Sequence, residues 1–375
     1  MRCKRKEYPL LLLGSFSNMK YGKMPKKDMV KENGKYPVFS GYRIVGYCDE
    51  CNLDEQQLIV IARGVGGTGD VKLSPGACYL TNLSIAVIID ENIALKQYLF
   101  YYFQKHNLRY LDSGSAQSQI TIADLKNIVL PIPPLEIQSK IVEIVSCLDD
   151  KIELNNKINE NLQQQAQSIY HERFETINKD ELPVGWRMVT LGDVAVISKK
   201  SFNPSKVPET MIEHYSIPAF DEFRFPVFEL STAIKSNKFV VDNYCFMISK
   251  LNPTTKRIWK PYCLTENAVC STEFIVYKAK DSTITNFLYA VIDSSSFSGF
   301  MCSHVTGSTG SRQRTAPSDT LSFEFVLPSK EELHSFQSLV SPMYAQMRIN
   351  VIENDKLKRL RDSLLPKLMN GEIDI

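Results

Sequence analysis

The segment of this chain that comes nearest to a nucleotide-binding motif is residues 64–69, Gly-Val-Gly-Gly-Thr-Gly, which follows an apolar run. Its spacing satisfies GxGxxG, in which glycines bring the backbone close to a dinucleotide pyrophosphate at the start of a helix. No helix is expected here, because residues 74–76, Ser-Pro-Gly, predict a turn soon afterwards. Asp70 would repel phosphate and stands where a P-loop needs lysine. The segment therefore favours a tight turn near a nucleic-acid backbone, beside Arg63 and Lys72, over a cofactor site.

Other arrangements that could carry catalysis are incomplete. Residues 252–255, Asn-Pro-Thr-Thr, begin like the tetrad of adenine methyltransferases but lack the aromatic residue that stacks the flipped base. The five histidines are dispersed, and no Ser/His/Asp set or carboxylate pair can be picked out. Cys48 and Cys51 form the one close cysteine pair, without the second pair or histidines that zinc requires. We therefore expect no catalytic centre and no metal site in this chain.

Polar loops and basic residues point instead to contact with DNA. Residues 113–120 and 306–314 combine glycine and serine with Gln or Arg, whose side chains can bond to adenine or guanine edges in bidentate fashion. The alternative for each is an ordinary flexible loop. Lysines and arginines elsewhere suit phosphate contacts, which position a protein without specifying sequence, although a solvated surface would look the same. The predicted DNA-binding residues are Lys20, Lys23, Arg63, Lys72, Gln117, Gln119, Lys199, Lys200, Lys250, Arg257, Arg312 and Arg314.

Bulk properties limit the class of protein. A chain of 375 residues predicts two or more domains. A formal net charge of +2 excludes a uniformly basic nucleic-acid coat protein. No apolar run approaches the ~18 residues that span a bilayer. Nine cysteines without disulfide-framework spacing fit a reducing compartment, so we expect a cytoplasmic protein that does not contact membranes.

The elements that would position these residues are duplicated. Residues 135–175 contain no Gly or Pro and keep apolar residues at heptad spacing, and residues 330–365 repeat the pattern with one interruption, Pro342. Both seams carry two Asn at equivalent positions. Polar residues in a coiled-coil core cost stability but select register and partner; the alternative is that they face solvent. The predicted helix-pairing residues are Leu148, Ile152, Asn155, Asn159 and Leu162 in the first helix, and Met343, Met347, Asn350, Asn354 and Leu357 in the second.

Between and before these helices lie two mixed α/β segments. Residues 58–62, 85–89, 239–241 and 274–277 predict strands, and residues 94–104 predict an amphipathic helix. The two globular segments resemble each other weakly, whereas the helices match strongly. The predicted fold is mixed α+β, with two globular domains joined by two long antiparallel helices that form a coiled coil. Its parts are a first domain over 1–134, a helix over 135–178, a second domain over 179–328 and a helix over 329–375.

These segments resemble the DNA specificity (S) subunit of type I restriction–modification systems. The resemblance rests on residues 130–138 running into 148–152, on the opening of the second domain at 182–192, and on the terminal residues 360–372. It covers essentially the whole chain, with one departure: the second proline-rich hinge is reduced to Pro328. In that family, two target-recognition domains alternate with two long helices that pack antiparallel and set the distance between half-sites.

The resemblance implies a non-catalytic subunit that reads a bipartite, asymmetric DNA sequence. Its implied partners are double-stranded DNA, methyltransferase subunits that bring S-adenosylmethionine, and a restriction subunit that uses ATP and Mg²⁺. The chain itself would hold no cofactor. The rival interpretation is a self-contained nucleotide-dependent enzyme that uses residues 64–69. The DNA sequence recognised cannot be derived, because direct readout depends on how side chains are placed against base edges.

Overall fold

The structure is a computed structural model that describes residues 8–26, 28–64, 67–112, 119–306, 313–373 and 375. The chain divides into two compact units, one comprising Met1–Lys151 with Leu357–Ile375 and the other comprising Ile152–Lys356. Each unit therefore contains a globular part and a portion of each long helix. Across the described ranges, no helix combines the length and the apolar character needed to cross a membrane.

The globular part of the first unit contains nine strands and two α-helices among its described residues. Two short 3₁₀ turns, Leu13–Ser15 and Arg109–Leu111, join some of them. The strands are Leu10–Leu12 (β1), Ser17–Tyr21 (β2), Tyr36–Phe39 (β3), Ile44–Cys48 (β4), Leu58–Ile61 (β5), Val71–Leu73 (β6), Tyr79–Leu80 (β7), Ser84–Ile89 (β8) and Val129–Pro131 (β9), and the helices are Lys96–Lys105 (α1) and Ile122–Lys126 (α2).

A four-stranded sheet in the order β2-β8-β5-β6 forms the centre of this unit. Every residue of β5 is buried, which explains its continuous apolar sequence. Helix α1 covers the sheet with Tyr98 and Leu99, both fully buried. The strands predicted at residues 58–62 and 85–89 are confirmed, and the helix predicted over 94–104 begins two residues later than expected.

The first long helix, Leu135–Tyr170 (α3), starts directly after two prolines. Its start is fixed by the fully buried Gln138, whose side-chain amide donates to Pro133 O at 2.8 Å and accepts from Leu95 N at 2.8 Å. The sequence predicted a helix to residue 178, but regular α-helix ends at Tyr170 and is followed by a π-helical turn, His171–Glu175. There Phe174 packs against an aromatic cluster, so tertiary packing rather than helix propensity decides this end.

The second unit is built from thirteen strands and several helices in its described part. Its 3₁₀ turns are Pro204–Lys206, Ser231–Ala233 and Ser282–Ile284. The strands are Arg187–Thr190 (β10), Ala195–Ile197 (β11), Ser201–Phe202 (β12), Met211–Tyr215 (β13), Val227–Leu230 (β14), Lys238–Val240 (β15), Cys245–Ser249 (β16), Ile258–Trp259 (β17), Ala268–Ser271 (β18), Phe274–Ala279 (β19), Val305–Thr306 (β20), Arg314–Thr315 (β21) and Glu324–Leu327 (β22). The helices are Leu191–Val194 (α4), Ile217–Phe223 (α5), Thr285–Asp293 (α6), Ser295–Ser303 (α7), Pro317–Thr320 (α8) and Lys330–Met369 (α9), the last of which extends into the first unit.

The globular parts of the two units share one strand topology. The sheet β11-β19-β16-β17 repeats the order β2-β8-β5-β6. In the adjoining sheets, β3 pairs with β4 antiparallel and β7 parallel, and β13 pairs with β14 antiparallel and β18 parallel. The second unit adds β12 and β15 to this plan. The weak sequence likeness between the globular segments therefore understated their relationship, because a strand order survives when the identities of buried residues change.

The second long helix, α9, was predicted over residues 329–375 with an interruption at Pro342. It runs without a break from Lys330 to Met369, although Pro342 lies within it. Its end has the hydrogen bonds of a Schellman motif: Glu372 N donates to Lys367 O at 2.8 Å, and Gly371 N donates to Leu368 O at 3.2 Å. Gly371 has a φ of +63°, the left-handed conformation that this motif requires.

Candidate functional site

Two loops of the second unit lie side by side, and both carry predicted DNA-binding residues. Residues 250–257 connect β16 to β17, and the hairpin of β20 and β21 reaches them through its second strand. Thr315 N donates to Lys250 O at 3.1 Å, and Asn252 N donates to Gln313 O at 2.9 Å. The structure thereby brings Arg314 next to the loop that carries Lys250 and Arg257, although Arg314 is far from both in the sequence.

The first unit contains the same arrangement at topologically equivalent positions. Residues 62–70 connect β5 to β6, as residues 250–257 connect β16 to β17. Ile120 N donates to Ala62 O at 2.9 Å, which matches the bond from Thr315 N to Lys250 O. The segment before Ile120 includes Gln119, which is exposed. We call residues 62–64 and 67–70 with 119–120 the paired loops of the first unit, and residues 250–257 with 313–315 the paired loops of the second unit.

Several lysines that the sequence predicted to bind DNA lie at the same end of the central sheet as the paired loops. In the second unit, β11 and β16 both run antiparallel to β19, so their last residues lie towards the first residues of β19. Ile197 pairs with Tyr277, and Ser249 pairs with Phe274. The exposed residues Lys199 and Lys200 follow β11 after Ser198 and so lie at that end, with Lys250. In the first unit, the register of β2 and β5 against β8 places Lys20, Lys23 and Arg63 at the equivalent end.

Arginines of the paired loops are held by carboxylates in bidentate ion pairs. The Arg257 guanidinium donates to both Asp221 oxygens at 2.7 and 2.9 Å, and its side chain is only 13% exposed. Arg314 donates to both Glu273 oxygens at 3.0 and 3.1 Å, and this contact raises the pKa of Arg314. The sequence singled out both arginines as DNA-binding candidates, and whether they contact DNA stays a prediction. The structure shows that a charge-assisted fork fixes the orientation of each guanidinium.

Arg109 is a basic residue of the first unit that no sequence pattern singled out. It donates to the two Asp70 oxygens at 2.9 and 3.2 Å, and its side chain is 59% exposed. The hydrogen bonds and charge of Asp70 raise the pKa of Arg109. Because Asp70 belongs to the loop between β5 and β6, this ion pair ties Arg109 to the paired loops. The two residues are 39 positions apart, so no local spacing links them.

Gly64 and Gly67 of the glycine-rich segment pack against Tyr42. A Cβ atom on Gly64 would lie 2.5 Å from the Tyr42 hydroxyl, and one on Gly67 would lie 2.4 Å from Cε1 of the same ring. Gly69, with a φ of +89°, would place a Cβ 2.5 Å from Arg109 N. The chain then enters strand β6, not the helix that a dinucleotide site needs. These glycines therefore allow close contacts within the protein.

The remaining predicted DNA-binding residues occupy varied positions. Lys20 is exposed and donates to Asn52 O at 2.8 Å, and Lys23 is exposed. Lys72 is half-buried, with its ammonium 3.5 Å from Tyr42 O. Gln117 and Arg312 lie outside the described residues. Whether any of these side chains contacts DNA stays a prediction.

Asparagine pairs join the two long helices within the second unit. Asn155 Nδ2 donates to Asn354 Oδ1 at 2.9 Å, and Asn350 Nδ2 donates to Asn159 Oδ1 at 2.8 Å. Numbers rise along α3 as they fall along α9, so these portions are antiparallel. Asn155, Asn350 and Asn354 are at most 5% exposed. The alternative, that the asparagines face solvent, is wrong for these three.

Other predicted seam residues are buried to differing degrees. Ile152 is buried, and Met343 and Met347 pack against the core of the second unit. Leu162 is half-buried, as are Leu148 and Leu357 in the first unit. Within the first unit, the two helices meet through an ion pair of 2.7 Å between Arg361 Nη1 and Asp149 Oδ1. Their apolar contacts come from Ile141, Val145, Leu365 and Leu368, which belong to one buried cluster.

Clusters of His, Cys, Asp or Glu able to hold a metal ion do not occur in the described part of the chain. The cysteines that the structure describes are all free thiols. Burial raises the pKa of Cys78 to about 11 and that of Cys245 to about 12. Such thiols are protonated at neutral pH and are weak nucleophiles. The site thus consists of loops, arginines and lysines suited to binding.

Comparison with known proteins gives a consistent likeness. The family model for the type I restriction modification DNA specificity domain matches residues 7–164. The chain is similar to the type I restriction enzyme MjaIX specificity subunit of Methanocaldococcus jannaschii, with 26% identity over 328 residues, covering 79% of this chain and 73% of the relative. It is also similar to the type I restriction enzyme HindI specificity subunit of Haemophilus influenzae, with 24% identity over 366 residues, covering 76% of this chain and 79% of the relative. The fold is similar to the crystal structure of a type I restriction-modification system S subunit from M. genitalium, with a TM-score of 0.64, 17% identity and 98% of each chain covered.

Proposed function

The chain belongs to the family of type I restriction–modification DNA specificity subunits, and on that premise we propose that each of its globular domains reads one half of a bipartite DNA sequence. The observation that carries the proposal is the equivalence of the paired loops. The hydrogen bond from Ile120 N to Ala62 O and that from Thr315 N to Lys250 O occupy the same place in one topology. Two equivalent loop pairs with different side chains suit two half-sites of different sequence.

Within each domain, the residues divide into positioning and reading contacts. Lysines at the loop end of the sheet, such as Lys199 and Lys200, suit phosphates, which fix orientation but carry no sequence information. Arg314 and Arg109 lie at the paired loops in bidentate ion pairs. A guanidinium held in one orientation loses little side-chain entropy when it meets the O6 and N7 atoms of guanine. These two arginines are therefore the base-reading candidates that the described residues support best.

The two helices are proposed to act as the spacer between half-sites. The buried Asn155–Asn354 and Asn159–Asn350 bonds support one register of α3 against α9. The assembly partners are proposed to be methyltransferase subunits with S-adenosylmethionine and a restriction subunit that uses ATP and Mg²⁺. The specificity chain itself would be non-catalytic and would work where the cell's DNA lies, in the cytoplasm. The rival function, a nucleotide-dependent enzyme, finds no support, and the packing of Gly64 and Gly67 on Tyr42 argues against it.

Exchange of one domain tests this proposal. Residues 182–327 are replaced by the corresponding segment of a relative, the chain is expressed with its methyltransferase partner, and methylated positions are sequenced genome-wide. One half-site should change while the other half-site and the spacer stay the same. A change in both half-sites would contradict separate reading. A partner-free sample of the unaltered chain serves as the control, and it should transfer no methyl groups.

A further inference from the structure

The second unit contains a polar cleft of about 350 Å³ that the proposed function does not use. Tyr244, directly before β16, and Lys260, directly after β17, both line it. Strands β16 and β17 meet residues 250–257 at their other ends, because Ile248 pairs with Ile258. The cleft therefore lies at the end of the sheet opposite the paired loops.

Lys260 brings an ammonium into this cleft with no carboxylate partner among the described residues. Its Nζ donates to Asn286 Oδ1 and lies 5.6 Å from the centroid of the Tyr344 ring. The charged group that acts on it is another cation, Arg348, and burial together with Arg348 lowers the pKa of Lys260 to about 8. A partly buried charge without a counter-charge is costly, and a bound anion would offset that cost.

The lining of the cleft offers donors to such an anion. None of its nine residues is acidic. Helix α6 begins at the cleft with Thr285, which places the positive end of the helix dipole there, while the Thr285 amide itself donates to Ser282 O. Ser341 Oγ accepts from Asn286 Nδ2 at 2.9 Å and keeps its own proton to donate. The neighbouring acid, Asp281, accepts hydrogen bonds from the amide and hydroxyl of Thr283.

We propose that this cleft binds an oxyanion of the phosphate class, held by Lys260 and Ser341 at the start of α6. Lysine binds phosphate as a point charge, and hydroxyl and helix-terminal donors complete its shell in many phosphate sites. Tyr244, 65% exposed, borders the site and leaves it open to solvent. The anion can come from a free phosphate compound or from the DNA backbone, and the two sources are separable by experiment.

Calorimetric titration of the full chain with inorganic phosphate and with pyrophosphate, in chloride buffer at pH 7, tests the site. We expect binding to one site, weakened about tenfold or more in Lys260→Met, since that change removes a charge-assisted bond. Ser341→Ala should weaken it to a smaller extent. Lys235→Met, at an exposed lysine of the same unit, is the matched control and should bind as the unaltered chain does. Absence of binding, or equal binding by Lys260→Met, would overturn the proposal.

Sulfate, whose charge is constant near neutral pH, gives a readout that does not need the Lys260 variant to fold. Anion binding requires the ammonium form, so sulfate affinity should fall as pH rises through the pKa of about 8. Arg348, Tyr344 and Tyr244 are other titratable groups that face this region. A sulfate affinity that does not change with pH across this range would count against Lys260 as the anion ligand.

DNA binding then identifies the source of the anion. If Lys260→Met lowers the salt dependence of DNA binding by about one counterion, the ligand is a backbone phosphate. If it loses phosphate binding while DNA affinity and salt slope stay the same, the ligand is a free compound. Both results support the cleft as a site. Because the cleft lies apart from the paired loops, loss of the proposed reading function would leave the phosphate titration unaffected.

Discussion

Asn155 donates a hydrogen bond to Asn354 at 2.9 Å from a position that is fully buried between two helices. Asn354 in turn donates to Asn156 Oδ1 at 2.9 Å, and Asn155 also donates to Glu353 at 2.8 Å. The side-chain NH2 groups of Asn155 and Asn354 find acceptors in this register and lose them if the helices slide. The asparagine pair therefore favours one register of α3 against α9 within the second unit.

Asn155→Leu should destabilise the protein by about 1–3 kcal/mol, because it leaves the buried Asn354 without its donor. The double variant Asn155→Leu with Asn354→Leu should recover much of that loss but permit more than one register. Urea unfolding measures the stability, and the methylated sites made with the partner subunit report the spacer. Asn161→Leu, at an exposed position of α3, is the control. A double variant as unstable as the single one would contradict this interpretation.

Arg314→Ala should weaken binding to the recognised DNA by ~1–3 kcal/mol if its guanidinium reads a base, and it should relax sequence choice at one position. Glu273→Gln, which removes the charge that orients Arg314, should weaken binding less. Arg187→Ala, at an exposed arginine of β10, is the matched control. Affinity at several salt concentrations distinguishes the roles, since a phosphate contact would instead reduce the salt slope by about one. If neither the affinity nor the salt slope changes in Arg314→Ala, Arg314 does not contact the DNA.

Insertion of one heptad into each long helix, after Lys151 and after Lys356, should lengthen the spacer without altering either half-site. A heptad preserves the seam, and seven residues add ~10 Å, or about three base pairs. Sequencing of methylated sites measures the new gap. The same insertion in one helix alone should break the pairing and abolish methylation. An unchanged spacer in a double insertion that still methylates would contradict the spacer role.

Lys256→Met should destabilise the protein by about 1–3 kcal/mol, because Lys256 Nζ lies 2.6 Å from the carboxylate of Asp293, which is 2% exposed, while the Lys256 side chain is 40% exposed and screened by solvent. Burial already raises the pKa of Asp293, while Lys256 lowers it, so the variant should raise that pKa further. When the pKa of a carboxyl group is higher in the folded state than in the unfolded state, the protein loses stability as the pH rises above the unfolded-state pKa. The effect should therefore be larger at neutral pH than near pH 4. Thermal unfolding at both pH values, with Lys235→Met as control, checks it.

The long helices could be predicted from the sequence because heptad spacing is a local property that is read along the chain. Residues 135–175 and 330–365 contain the pattern, and the structure contains α3 and α9 there. The end of α3 could not be predicted in this way, because tertiary contacts decide it. The π-helical turn at His171–Glu175 depends on the aromatic cluster around Phe174, which is assembled from residues far away in sequence.

The sequence also determined the chemical character of the candidate interface, which consists of lysines, arginines and small polar loops. It could not show that Lys250 and Arg314 are neighbours, that Arg109 binds Asp70, or that Lys260 lacks a counter-charge among the described residues. Those relationships follow from which strands pair and in what register, as does the common topology of the two globular parts. Strand pairing joins distant segments through backbone hydrogen bonds that carry no side-chain signature, so only the tertiary structure decided it.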